Sequence, residues 1–307
     1  MNTAKLQGIY VPNVIPLRPD GAIAEDELRR HLRWLADKGV NGIFANGSTG
    51  EFARFTAGEH RRTVELAAEE SRGRMGIIAG AVEVTPELTL DACARYAGLG
   101  CDAVSLCPPV YFRPGQEALR EHFTRLADRS PIPILLYNIP AFVVPLAADT
   151  IRELARHPRI VGLKDSTRDL AGFLTLMQEI RAFRPDFIFF TGTEEILLPA
   201  LFMGADGGAI ATAGCLPEAV LGLYHAWQRG DADSARRLQL ALLPVIKLMF
   251  SLDFPLGFRA AVELRGFNLG PCRQPVSAAQ ERAIARLKAE LQPLMTHILA
   301  SLGATLR

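Results

Sequence analysis

The feature that most limits what this chain can fold into is an alternation of short apolar runs with amphipathic stretches. The runs are GIYVPNVI (8–15), VNGIFAN (40–46), MGIIAGA (75–81), DAVSLC (102–107), IPILLYN (132–138), RIVGLK (159–164), DFIFFTG (186–192) and GGAIATA (207–213). Between them, stretches such as AEDELRRHLRWLADKG and TPELTLDACARYAGLG place apolar residues at helical spacing, with acids near the start and glycine after several ends. A strand that is apolar at nearly every position is buried on both faces, as in a parallel sheet covered by helices. Eight such units predict an α/β chain folded as a (β/α)8 TIM barrel. A doubly wound open sheet competes, but the glycine fingerprint of the dinucleotide folds is missing after the first run. Beyond residue 215 the pattern turns helical over 216–229, 231–250, 254–265 and 277–301. One of these helices is enough to close a barrel. The others predict a C-terminal helical extension, with the barrel over 1–230 and the helical region of 231–307 packed on it.

Composition excludes several classes of function. The 307 residues are 49% hydrophobic and 22% charged, and the net charge of +1 comes from interleaved acids and bases. That composition is globular, and it offers neither nucleic acid nor a membrane surface a basic patch. The N-terminal apolar stretch is broken by Pro12 and Pro16, unlike a signal peptide. The greasiest later stretch, LQLALLPVIKLMFSLDFPLGF, is interrupted by Pro244, Lys247 and Asp253, unlike a membrane span. Five scattered cysteines, without a C-x-x-C pair, read as reduced core residues of a cytoplasmic chain.

In a barrel of this kind the chemistry collects where strands run out into the loops before the helices. The sixth run ends in Lys164, one of five lysines among 34 basic residues. A lysine there can rest its stem on the rim and hold its ammonium in water. Enclosed by apolar walls, it instead loses charge, and a neutral amine can attack a ketone to form a Schiff base. Tyr137 ends the neighbouring run, either as a core aromatic or as a phenol that carries protons beside such a lysine. After the second run, Gly47, Ser48, Thr49 and Gly50 form either a plain turn or a cradle of N–H and hydroxyl donors for a small carboxylate. Asp165, Glu194 and Glu195 could ligate a metal, but no histidine or further carboxylate stands at a matching strand end, so none is expected.

In this order and spacing, NGSTGEF, CPPVYFRP, YNIP and GLKDS resemble the dihydrodipicolinate synthase / N-acetylneuraminate lyase family of pyruvate-dependent class I aldolases. The likeness extends from about residue 8 to about 266 and includes GADGGAI and FPLGFRAAVELRG. It implies a barrel with a C-terminal helical bundle, assembled as a homotetramer of tight dimers, acting on pyruvate and an aldehyde without a cofactor. It also implies Lys164 as the Schiff-base lysine, Tyr137 as the proton-relay phenol, and Ser48 and Thr49 as carboxylate ligands that join the relay. Tyr111 would reach the neighbouring subunit's site, Ser166 would keep a hydroxyl near the substrate, and Glu195 would meet sugar hydroxyls. Gly47, Gly192, Ile210 and Ala211 complete the substrate-binding set that the resemblance implies. One departure matters: where the synthases carry an arginine for the second substrate's carboxylate, this chain has Phe142. A phenyl ring cannot pair with a carboxylate. The expected activity is therefore aldol cleavage or condensation on a 2-keto-3-deoxy sugar acid or a sialic-acid-like substrate. The alternatives are dehydration of such an acid, dihydrodipicolinate synthesis, or 2-oxo-acid binding without catalysis.

Overall fold

The computed structural model describes residues 6–306. Eight parallel strands close on themselves in chain order: β1 (Gly8–Pro12), β2 (Gly42–Ala45), β3 (Gly76–Gly80), β4 (Ala103–Leu106), β5 (Ile134–Asn138), β6 (Ile160–Asp165), β7 (Ile188–Thr191) and β8 (Gly207–Ala209). The helices of the barrel are α1 (Glu25–Lys38), α2 (Ala57–Ser71), α3 (Pro86–Gly98), α4 (Gln116–Arg129), α5 (Ala148–Leu154), α6 (Leu170–Arg181), α7 (Leu197–Phe202) and α8 (Pro217–Gln228). Three more follow: α9 (Ala232–Met249), α10 (Leu256–Leu264) and α11 (Ala278–Ser301). The α/β barrel with a C-terminal helical extension is thus the fold that the apolar alternation predicts. No helix among the described residues is long and apolar enough to cross a membrane.

Local chemistry accounts for the element ends. Thr56 caps α2 and Ser277 caps α11, each in a reciprocal capping box with a side chain three residues on. Gly39 ends α1 in the left-handed region that glycine favours. The strands are shorter than the apolar runs. In particular, the run 207–213 forms a strand only to Ala209; Ala211–Gly214 is a short 3-10 helix. Hydrophobic content marks burial, and loops folded back over a barrel rim are buried as well as strands.

Two apolar layers result. Tyr10, Phe44, Ile78, Leu135, Val161, Ile188 and Phe190 fill the barrel interior with bulky side chains. A larger cluster joins the outer strand faces to the helices and runs on into α9, α10 and α11. Arg259 of α10 is buried and donates to the carbonyls of Ile15 (2.9 Å), Leu269 (2.9 Å), Gly270 (3.2 Å) and Pro271 (3.1 Å). Those bonds tie the C-terminal helices to the mouth of the barrel beside β1.

Candidate functional site

The interior layer stops beneath Lys164. In the β5–β6–β7 register Lys164 stands beside Tyr137 on one side and Phe190 on the other. Lys164 is only 3% exposed. Its Nζ lies 4.1 Å from the centroid of the Phe44 ring and 4.0 Å from that of Tyr137. Burial lowers its pKa from 10.5 to about 7, against the opposing fields of Glu194 and the Cys107 thiol. Neutral amine is therefore available near neutral pH. Tyr137 is pushed up to about 12 by burial, although the Ser48 and Ser166 hydroxyls hydrogen-bond its oxygen, so at neutral pH it is an intact phenol.

A cavity of about 390 Å³ opens above the lysine. Ser48, Thr49, Tyr137, Lys164, Ser166, Gly192, Glu195 and Ala211 all line it, which brings together residues from five strand ends. Gly192 is required there by space. A Cβ at that position would fall 2.8 Å from Lys164 Cε and 2.2 Å from Ser166 Oγ. Glu195 lies 3.5 Å from the Arg168 guanidinium, and its Oε2 is buried without a hydrogen-bond partner among the described residues. It thus offers an acceptor to a ligand hydroxyl.

Three residues expected here are placed otherwise. Ile210 turns its side chain into the hydrophobic core, while its neighbours Ala209 and Ala211 reach the cavity. Gly47 does not line the cavity; it makes room for Phe44, whose Cδ1 would lie 3.0 Å from a Cβ at 47. Tyr111 is 89% exposed, stacks edge-on against Phe112 and belongs to a separate surface hollow with Pro109 and Arg113. Within one chain it is not part of the lysine site.

The structure gives three residues that the sequence singled out for other reasons a place in the site. Glu194, 5% exposed, sits on the 3-10 turn after β7 and accepts the backbone N–H groups of Ala211 (2.9 Å) and Thr212 (3.1 Å). Burial raises its pKa to about 8 in spite of those donors. Asp165, also buried, faces away from the cavity. It accepts from Asn138 Nδ2 (3.2 Å) and from the Thr167 N–H (3.0 Å) and hydroxyl (2.5 Å), which fastens the loop after β6. Phe142, from the loop after β5, joins Phe250, Phe254 and Phe258 in an aromatic wall of the same cavity. Their spacing of four residues, 250, 254 and 258, was the available signal, though the helix breaks between α9 and α10.

A closed parallel barrel with a buried, charge-depleted lysine under its mouth is the framework of a class I aldolase. The sequence matches the model of the dihydrodipicolinate synthetase family over residues 5–294. Among relatives, a 4-hydroxy-tetrahydrodipicolinate synthase from Methanopyrus kandleri is 33% identical over 293 residues, covering 94% of this chain and 97% of the relative. Among solved structures, YagE, a prophage protein of the dihydrodipicolinic acid synthase family from E. coli in complex with pyruvate, superposes with a TM-score of 0.88. It is 26% identical, over 94% of this chain and 98% of its own. The dihydrodipicolinate synthase of Acinetobacter baumannii, complexed with pyruvate, also gives 0.88 at 27% identity, over 94% of this chain and 99% of its own. The chain belongs to the dihydrodipicolinate synthetase family and is an enzyme of the class I aldolase and lyase type.

Proposed function

We propose that the protein cleaves or forms the C3–C4 bond of a 4-hydroxy-2-oxo acid, exchanging it with pyruvate and an aldehyde through a Schiff base on Lys164. The observation that carries this reading is the lysine's burial against two aromatic rings with its charge suppressed. In the proposed cycle the neutral Nζ attacks the C2 carbonyl carbon, and water leaves as the iminium forms. The iminium then accepts the electron pair of the breaking C3–C4 bond as the aldehyde leaves; the enamine takes a proton at C3, and water adds to the imine to release pyruvate and free Lys164. Tyr137, within hydrogen-bonding reach of Ser48 and Ser166, moves the proton between the C4 hydroxyl and the hydroxyl chain. Ser48 and Thr49 receive the substrate carboxylate. Tyr111, exposed on its own chain, would act in a neighbouring copy.

The substrate class we favour is a 2-keto-3-deoxy sugar acid. Ser166 and the unpartnered Glu195 oxygen give hydroxyls one wall to bond, and the phenyl wall faces the carbon-bound hydrogens of the same chain. Borohydride treatment with pyruvate should add a pyruvyl-derived mass at Lys164. A panel of 2-keto-3-deoxy acids and sialic acid should then include one that releases pyruvate in stoichiometric amount. Loss of water without pyruvate would identify a dehydratase instead.

Dihydrodipicolinate synthesis is the second reading, favoured by the name of the Methanopyrus relative. Against it stands Phe142, whose ring packs 5.7 Å from that of Phe254 where an acidic aldehyde would need a cation. Condensation of pyruvate with aspartate semialdehyde by the unaltered protein would restore that reading.

A further inference from the structure

The function proposed for Lys164 leaves one physical problem open, and the inference here rests on that function. Forming the imine turns a neutral amine and a neutral ketone, plus one proton, into an iminium cation and water. The cation forms at a nitrogen that water scarcely reaches, so something other than water has to stabilise it. Lys164 takes part in no hydrogen bond or ion pair among the described residues. Glu194 acts only through space, because its carboxylate oxygens are held by the backbone N–H groups of Ala211 and Thr212. What does touch the nitrogen is aromatic. The rings of Phe44 and Tyr137 meet at 68° with centroids 6.1 Å apart, and Nζ lies over both faces at 4.1 and 4.0 Å.

We propose that Phe44 is a catalytic residue of the imine steps, its ring face forming with Tyr137 a two-sided clamp that stabilises the iminium charge at residue 164. An aromatic face carries negative potential, and its attraction for a cation is strongest where water is excluded. Phe44 is fully buried, so its ring cannot be swung aside by solvent. Its position is fixed from two sides: it belongs to the packed interior layer below, and Gly47 leaves the space its edge occupies. With Nζ over its face, the aromatic identity of residue 44 becomes a requirement of charge as well as of volume. It also separates the roles of the two rings, since Tyr137 must offer its oxygen to the hydroxyl chain and Phe44 has no other polar work.

The test replaces Phe44 with 4-fluoro-, 3,5-difluoro- and 3,4,5-trifluorophenylalanine, which keep the ring while progressively weakening its negative face. Pyruvate is the probe, and borohydride trapping at residue 164 gives the imine affinity of each variant. The affinity should fall stepwise, by about tenfold across the series, while the melting temperature stays unchanged. Phe44→Leu should lose at least as much affinity, and Phe44→Tyr should retain most of it. An adduct at Lys164 whose affinity is flat across the fluorinated series would overturn the clamp and leave the aldolase reading standing. No adduct at Lys164 in the unaltered protein would overturn both.

Discussion

The floor and the mouth of this barrel are built from the same strands, yet they obey opposite rules. Along β6, Val161 faces the sealed interior among Tyr10, Phe44 and Phe190, where nothing but volume is asked of it. At the end of the same strand stands Lys164, just as buried, whose charge the surroundings suppress. On the floor every element of the structure agrees about what belongs there. At the mouth, burial works against Lys164, Glu194 and Asp165, and they stand on the closely packed layer below. The lesson is that stability and chemistry are stacked within one cylinder, with the Phe44 ring at the boundary.

The largest break in that comparison comes from making the mouth resemble the floor. Lys164→Met should abolish turnover, by at least about a thousandfold, while leaving the barrel intact. It should also stabilise the fold. The lysine's folded pKa of about 7 lies below its unfolded value of 10.5, so between those values the unfolded chain holds more protons and stability rises with pH. Methionine removes the penalty, which is fullest below pH 7, and the melting temperature at pH 7 should rise by a few degrees. Calorimetry and a pyruvate-release assay read both effects. A variant that is inactive and less stable would contradict the comparison.

Gly192→Ala tests the spacing of the mouth. Its Cβ would sit against Lys164 Cε, and a displacement of about 1 Å can cost about a hundredfold in rate. The loss should appear in kcat with little change in melting temperature.

Glu194→Gln should have the smallest effect on rate. Burial raises the Glu194 pKa to about 8, above that of Lys164 at about 7, so the carboxyl is mostly neutral over the acidic limb and the amide should leave that limb of kcat/KM in place. The amide oxygen can still accept from Ala211 and Thr212, which keeps the loop in place. A limb that moves to lower pH would show Glu194 ionised beside Lys164 and contradict the raised carboxyl.

Much of this was legible in the sequence because buried parallel strands are continuously apolar, and a charge at their ends stands out. Lys164 and Tyr137 declare themselves that way, and the four C-terminal helices fall within a few residues of their expected limits. The role of Glu194 was not legible: Glu194 and Glu195 are adjacent acids, and only the 3-10 turn decides that the first is held by the Ala211 and Thr212 N–H groups while the second keeps an unpartnered oxygen at the cavity. The placement of the Ile210 side chain was not legible for a similar reason, since the chain leaves β8 for a 3-10 helix there and the side chain packs in the core. The phenyl wall joins Phe142 to Phe254 across more than a hundred residues, and apolar periodicity does not report pairings at that range. Phe44 looked like one more strand residue, because its neighbour across the barrel is visible only once the sheet has closed.

The central claim is that the barrel mouth strips Lys164 of its charge near neutral pH. The direct measurement is the rate of borohydride-trapped pyruvyl adduct formation at Lys164, located by peptide mass and followed from pH 5 to pH 11 (a range chosen to span both candidate values). A midpoint near 7 is what the burial of Nζ requires. A midpoint near the ordinary lysine value of 10.5, or an adduct on another residue, would contradict it.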